Sequence, residues 1–309
     1  MRKVLFIFLC VFLSLVTFLS LLFLPKKAEQ EDIDRVESLE IWHIDMIEGG
    51  IGSRTTFLKK VAKKFSEITG IVVRVTLQTP TSVAENLKNN HFPDLISYSA
   101  GLDLPYDKIA KINGDSYAEC WCKGGYLLIS RKNQEIKGVL ISEQEYTLGL
   151  LAYYMAEINI PIINQANSAE AIYYFYNNKN CALLGTQRDL FRLQNKGYDL
   201  QVKALSRFND IKQYISIISS GNNYNSSKNF INYLLSYTNE KGALESIGML
   251  TANGYNDSCN LVLDIFNGIT EEYTTYALFS KEQLENIKNM CKNYQTNAKS
   301  IKNMLKRLI

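Results

Sequence analysis

Hydrophobic and polar positions alternate along this chain in short, regular blocks. Residues 39–44 (LEIWHI) form an apolar run, followed by a loop holding Gly49, Gly50 and Gly52 and then an amphipathic stretch opened by Ser53. In that stretch Phe57, Val61, Phe65 and Ile68 recur at helical spacing, with Lys59, Lys60, Lys63, Lys64 and Glu67 on the other positions. The pattern predicts a strand, a glycine loop and a helix. A β-branched run at 71–77, a short helix at 82–88 and a third strand at 94–98 follow. Strands alternating with helices at this spacing predict βαβ units and a mainly parallel sheet covered on both faces.

Further on, residues 120–130 read as a strand broken at Gly124 and Gly125, suited to passing from one domain to another. A helix is predicted over 143–158, with Leu148, Leu151, Ala152 and Met155 on its apolar face. Another spans 168–176, with Ser168 as N-cap and Glu170 in the first turn. Residues 181–184 form a short strand that breaks at Gly185 into a helix starting near Thr186, repeating the logic of the opening segment. Residues 210–219 are suited to return the chain to the first domain, ahead of helical patterns at 228–236 and 242–247. Near the end Leu284, Ile287, Cys291, Tyr294, Ala298, Ile301, Leu305 and Leu308 fall at alternating steps of three and four, a heptad seam. It fits a terminal helix packed along one domain, or one that dimerises or binds a partner.

The N-terminus sets the compartment. Residues 4–24 are 21 residues without a charge, preceded by Arg2 and Lys3 and followed by Pro25, Lys26 and Lys27. That length suffices to cross a bilayer, and no small-x-small cleavage site follows. The segment is read as an uncleaved signal anchor, with a cleaved signal peptide as the alternative, and the body is placed outside the cytoplasm at the cell membrane. The net charge of +3 divides unevenly. Residues 1–27 carry four basic and no acidic residues and 281–309 seven basic and two acidic, leaving 23 basic and 29 acidic residues between them. A body of net −6 is a poor partner for nucleic acid, whose recognition rests on Lys and Arg against phosphate.

Chemistry-bearing motifs are scarce. The chain has 309 residues, enough for two domains, yet only two histidines, His43 and His91. It has no HExxH, GxSxG, Walker or dinucleotide glycine pattern. Outside the anchor, Cys120, Cys122, Cys181, Cys259 and Cys291 are odd in number and widely spaced, which describes packed or free thiols. No metal or other cofactor is expected. Asp45 and Glu48 are the pair a glycan hydrolase would use, although loop acids more often cap or stay solvated. The better candidates are ligand-binding groups. Trp42 and His43 lie at the end of the first strand, Ser53 and Arg54 open the first helix, and Ser99 follows the third strand at a carboxyl edge. Tyr126 sits past the glycine break, and Gln187 and Arg188 open the later helix, where an Arg is suited to bidentate contacts. Each has a bland role as well: core packing, a structural hydrogen bond, a cap or an internal ion pair.

IWHIDMIEGGIGSRTTFLKKVAKKFSEITGIVVRV followed by FPDLISYSAG resembles the start of extracellular solute-binding proteins of ABC importers, particularly the sugar-binding group. NFINYLLSYTNEKGALESIGML is similar to that family's helix pair, and CALLGTQRDLFRL to a subgroup of short solute-binding-like proteins. The resemblance implies an α/β protein with the two-lobe type 2 periplasmic-binding-protein-like fold and hinge-crossing strands, here preceded by an N-terminal transmembrane helix. The expected organisation is an anchor at 1–27, a linker at 28–37, one lobe from 38–118 plus about 220–255, a second from 119–219, and a helical segment at 256–309 packing on the lobes. The family departs from this chain in two ways: no lipobox cysteine precedes the body, and the body is short.

The function expected on these grounds is capture of a small solute, with carbohydrate favoured, by a monomer that delivers it to an ABC permease. Trp42, His43, Asp45, Glu48, Ser53, Arg54 and Ser99 would contact the ligand from one side and Tyr126, Gln187 and Arg188 from the other. A ligand-sensing or interaction protein on the same scaffold, regulating a membrane partner through the cationic tail, is the alternative from another class.

Overall fold

In a computed structural model, the strands and helices predicted from periodicity assemble around two β-sheets. The structure describes residues 37–44, 53–99, 104, 106–114, 116–143, 148–205, 211–218, 223–252 and 281–306. Ser38–Ile309 forms one compact unit. Among the described residues no helix is long and apolar enough to cross a membrane; residues 4–24, on which the anchor reading rests, lie outside them.

Strand β1 (Ser38–Ile44) leads through the loop to helix α1 (Arg54–Thr69), then β2 (Val72–Gln78), α2 (Pro80–Lys88) and β3 (Leu95–Tyr98). Ser53 is the N-cap of α1, its hydroxyl accepting from Thr56 N–H at 3.2 Å. Gly70 ends the helix in the left-handed conformation, φ 76°, returning its N–H to Ser66 O. Thr79 and Ser82 form a reciprocal capping box on α2. Ile68, expected on the buried face of α1, is 71% exposed. Helical spacing alone therefore does not bury it.

The chain continues through β4 (Ile109–Ala110), β5 (Glu119–Gly124) and β6 (Tyr126–Arg131), then β7 (Gly138–Ser142), α3 (Gly149–Met155), β8 (Ile162–Ala166) and α4 (Ser168–Asn177). After these come β9 (Cys181–Thr186), α5 (Gln187–Gln194), β10 (Leu200–Ala204), β11 (Ile211–Ile218) and α6 (Tyr224–Thr238). The chain closes with α7 (Lys281–Cys291) and α8 (Tyr294–Lys306).

The first sheet has the order β2-β1-β3-β11-β4, with β5 also paired to β11. β1 runs parallel to β2 and β3, whereas β11 is antiparallel to β3, β4 and β5. The second sheet has the order β10-β6-β9-β7-β8. The chain therefore crosses between sheets at Gly124–Gly125 and again between β10 and β11. Both β5 and β11 belong to the first sheet, although the expected second lobe took in residues 119–219.

Several local expectations need correction. Helix α3 spans only seven residues where 143–158 was expected, and 138–142, given no element from the sequence, is a strand, β7. All five β7 residues are buried, and a strand covered on both faces shows no alternation to read. Strands β8 and β10 carried no strong signal either. The N-cap of α4 is Asn167, whose Oδ1 accepts from Ala169 and Glu170 N–H at 3.1 Å each, and Ser168 is the first helical residue. The heptad seam is not one helix, since α7 and α8 are separated at Lys292 and Asn293. Its members Leu284, Ile287, Cys291 and Ile301 are buried, with the Tyr294 ring stacked on Tyr154 at 4.6 Å. These members of the seam are thus packed within the molecule.

The core has three parts. On one face of the first sheet, Leu39, Ile41, Leu95, Ile215 and Ile217 pack with Phe57, Val61 and Phe65 of α1 and Phe230, Ile231 and Leu234 of α6. On its other face Trp42, Ile44, Ile96, Tyr98 and Tyr214 join a cluster continuous with Tyr126, Val139, Ile141 and Leu151 of the second sheet and α3, and with α7 and α8. Leu127, Ile129, Leu140 and Leu183 pack with Phe175 of α4 and Leu190 and Leu193 of α5. The described cysteines Cys120, Cys122, Cys181 and Cys291 are free thiols.

Candidate functional site

The apolar face beneath α1 turns polar at the carboxyl edge of the first sheet. Side chains alternate along a strand, so His43 follows Leu39 and Ile41 on this face, and Ser97 and Ser99 follow Leu95. Antiparallel pairing sets Tyr214 opposite Tyr98, so one further step brings Gln213 beside Ser99. His43, Ser97, Ser99 and Gln213 are all fully buried. The result is a polar end to a hydrophobic layer, set where the chain leaves β1 and β3 for its loops. Ligands of open α/β sheets bind at such edges.

Ser97 Oγ is the hub. It accepts from Trp121 Nε1–H at 3.1 Å and from Gln213 Nε2–H at 3.3 Å, and it lies 3.1 Å from His43 Nδ1. A hydroxyl has two acceptor lone pairs and one proton. With both lone pairs engaged by donors, the Ser97 proton is directed to His43 Nδ1, which fixes the neutral imidazole as the Nε2–H tautomer. Gln213 Nε2 also donates to Ile44 O at 3.3 Å, which defines the amide's orientation. The Trp121 ring stacks on Phe57 of α1 at 5.8 Å, coupling the network to the helix.

Helix α1 opens over this edge. Arg54 and Thr55, in its first turn, are buried, Arg54 being only 3% exposed. Thr55 Oγ1, Ser99 Oγ and Gln213 Oε1 are buried atoms with no hydrogen-bond partner among the described residues. Buried polar atoms left unpaired are uncommon and costly, and each calls for a water or a ligand. Three of them near one sheet edge mark it as a place with unused polar capacity.

Four of the sequence-based candidates, His43, Ser53, Arg54 and Ser99, fall at this edge. Ser53 is exposed and serves as the cap described above. Trp42 points to the opposite face of β1, where it is buried in the apolar core and donates from Nε1 to Glu40 Oε1 at 3.1 Å. Asp45 and Glu48 lie outside the described residues. Ser97, Gln213, Thr55 and Trp121 were not singled out from the sequence. Their signal was weak: a single serine in a strand, an amide in β11, and a tryptophan that reads first as part of a CxC spacing.

On the second sheet Tyr126 and Gln187 bond to backbone groups. Tyr126 is buried, and its hydroxyl accepts from Leu148 N–H at 2.9 Å. Gln187 spends both ends of its amide on backbone, Oε1 accepting from Gly125 N–H at 2.9 Å and Nε2 donating to Gly248 O at 3.1 Å. Arg188 is the second residue of α5, and its side chain lies outside the described set. Asp189 accepts from Thr186 N–H at 2.9 Å and from Ser168 Oγ–H at 2.6 Å, holding the helix start as a capping box does.

Among the described residues no group of three or more His, Cys, Asp or Glu is disposed to hold a metal ion. A surface depression of about 430 Å³, lined by Lys137, Ile163, Asn177, Lys179 and neighbours, lies at the other end of the second sheet, where β7 and β9 begin. It shares no residue with the polar edge.

Two mixed sheets linked by crossing strands, with helices on their faces and a polar carboxyl edge, define a two-lobe periplasmic-binding-protein-like α/β fold. Solved structures agree at the level of fold. The chain is similar to iron-bound HitA from Pseudomonas aeruginosa, with a TM-score of 0.53 at 12% identity over 82% of this chain and 99% of that one. It is also similar to a two-component system protein described as mediating signal transduction, with a TM-score of 0.50 at 12% identity over 70% of this chain and 86% of that one. No family model matches the sequence, and no curated protein matches it.

Proposed function

We propose that this chain is a membrane-anchored, extracytoplasmic solute-binding protein that holds a small hydroxylated solute, carbohydrate in class, at the carboxyl edge of its first sheet and presents it to an ABC permease. The observation that carries this reading is the set of unpaired buried atoms Thr55 Oγ1, Ser99 Oγ and Gln213 Oε1 on a binding-protein fold. Two are hydroxyls, which donate or accept; the third is an amide oxygen, which only accepts. A fully deprotonated oxyanion satisfies the hydroxyls but leaves Gln213 Oε1 unpaired. A polyol supplies both donors and acceptors and pairs all three.

The lobes of this reading are the two sheets with their helices, and residues 4–24 supply the anchor. The test is a thermal-shift screen of the full chain in detergent against sugars, amino acids, peptides and oxyanions. A ligand at a hundredfold excess over its Kd should raise stability by about 2.7 kcal/mol. A response confined to oxyanions overturns the carbohydrate assignment, and silence across the library overturns solute binding.

A second reading, a ligand sensor regulating a membrane partner, draws on the basic C-terminal helices. Deleting 281–309 does not test it cleanly, because Leu284, Ile287, Cys291 and Ile301 belong to the core. Charge reversal on the exposed face of α8 is the appropriate variant: loss of partner association with solute binding intact supports sensing.

A further inference from the structure

The C-terminal helices carry a charge arrangement that the binding edge does not use. From residue 286 to the end the sequence holds Lys288, Lys292, Lys299, Lys302, Lys306 and Arg307 and no acidic residue. Lys288 turns inward to Glu143, at 3.7 Å. Lys292, Lys299 and Lys302 are exposed. On α8, Gln295, Lys299 and Lys302 follow one another at steps of four and three, a single stripe turned away from buried Ile301. Neither Lys299 nor Lys302 forms an ion pair with a described residue.

A cationic stripe without internal partners is complementary to an anionic surface. The chain itself says which surface is near. Its 21-residue apolar run is joined to the body by residues 25–37, a segment that reaches at most roughly 45 Å when fully extended. We infer that the Lys299–Lys302 face of α8 rests on the anionic headgroups of the membrane that anchors the chain. This inference rests on the anchored reading above. Each lysine brought near an anionic leaflet adds to the attraction, and the attraction decays within a Debye length of about 8 Å at physiological salt. Contact of this kind holds the body in one orientation over the bilayer, which a freely swinging tether does not.

The experiment is hydrogen–deuterium exchange on the full chain in nanodiscs of phosphatidylcholine alone or with phosphatidylglycerol. With phosphatidylglycerol, exchange across residues 294–306 should slow on the order of thirtyfold, as expected when the two lysines engage the surface. The effect should fade at high salt and disappear in Lys299→Glu/Lys302→Glu. Unchanged exchange of β1 and β3 in that variant, and the milder Lys299→Gln/Lys302→Gln, control for misfolding. Equal exchange in both lipids, or protection that survives charge reversal, overturns the inference alone. Loss of the chain from the nanodiscs during purification overturns the anchored reading and this inference with it.

Discussion

Gln187 Oε1 accepts the Gly125 backbone N–H at 2.9 Å, at the point where the chain passes from the first sheet to the second. The other end of the same amide holds Gly248 O, in a segment that also pairs with the crossing strand through Lys123 and Leu250. One side chain of the second lobe thus ties two backbone segments, and the sequence-based view of Gln187 as a ligand contact competes with this fully used amide.

The tie requires Gly124. A Cβ there would stand 2.2 Å from Gln187 Oε1, well inside contact distance. Gly124→Ala should expel the amide and cost about 1–3 kcal/mol, the range for leaving a buried polar group unpaired. Gln187→Ala in the same background should cost clearly less than the sum of the two single changes, because both remove one interaction. Denaturant titration of the two single variants and the double variant checks this, and strict additivity would refute it.

Ser97→Ala removes the acceptor of Trp121 Nε1–H and the donor to His43 Nδ1, while Gln213 Nε2 keeps Ile44 O. Two buried groups lose their partner, and the expected destabilisation is about 2–4 kcal/mol. The same network predicts that ¹⁵N–¹H spectra show His43 protonated at Nε2 and not at Nδ1. A signal from Nδ1–H would reverse the Ser97–His43 bond.

Glu143 controls a pH response. Burial pushes its carboxyl up to about 7 from the ordinary 4.5, against the lowering effect of Lys288 and of the Leu150 and Gly149 N–H groups. The folded chain holds this proton over the interval in which the unfolded chain has released it. Stability from this group is therefore complete below pH 4.5 and is lost as pH rises toward about 7. Its upper size is on the order of 3 kcal/mol. Glu143→Gln should flatten that part of the profile in chemical denaturation followed by tryptophan fluorescence. The neighbouring Cys291, pushed up to about 12 by burial and then by Glu143, adds no slope in the neutral range.

Function and stability should separate at the polar edge. Thr55→Val and Ser99→Ala remove hydroxyls that have no partner among the described residues, so the ligand-free protein should keep its stability or gain up to about 1 kcal/mol. If the edge holds the solute, the same variants should weaken binding about tenfold each, the loss of one hydrogen bond of about 1.4 kcal/mol. Calorimetric titration with the solute found by thermal shift measures this; unchanged affinity places the ligand elsewhere.

Much of the scaffold was legible because its signals are local. Ser53, Gly70 and the break at Gly124 and Gly125 act through nearby backbone geometry, and the runs at 39–44 and 54–69 bury their faces at strand and helix periods. Burial on both sides erases periodicity, so β7 went unread, and Ile68, apolar and at helical spacing, stays in water. The polar edge, as a candidate site, was half legible. His43, Arg54 and Ser99 follow from their places at element ends, whereas Gln213 reaches Ser97 only through a pairing between residues 116 apart.

The sequence by itself determined the opening βαβ order, the Ser53 cap, the crossing glycines, the acidic body between basic ends and the lack of a recognisable catalytic motif. Tertiary structure decided which polar groups remain available. Trp42 went to the core because strand alternation turned it away from α1, and Gln187 was committed to two backbone groups from distant segments. The seam residues Leu284, Ile287, Cys291 and Ile301 were covered by the chain's own core. Thr55, Ser99 and Gln213 came to share one buried edge because β11 returns antiparallel beside β3 and α1 packs over both. Local composition carries the first set. The second depends on long-range pairing and burial, which one residue's neighbours in the chain do not encode.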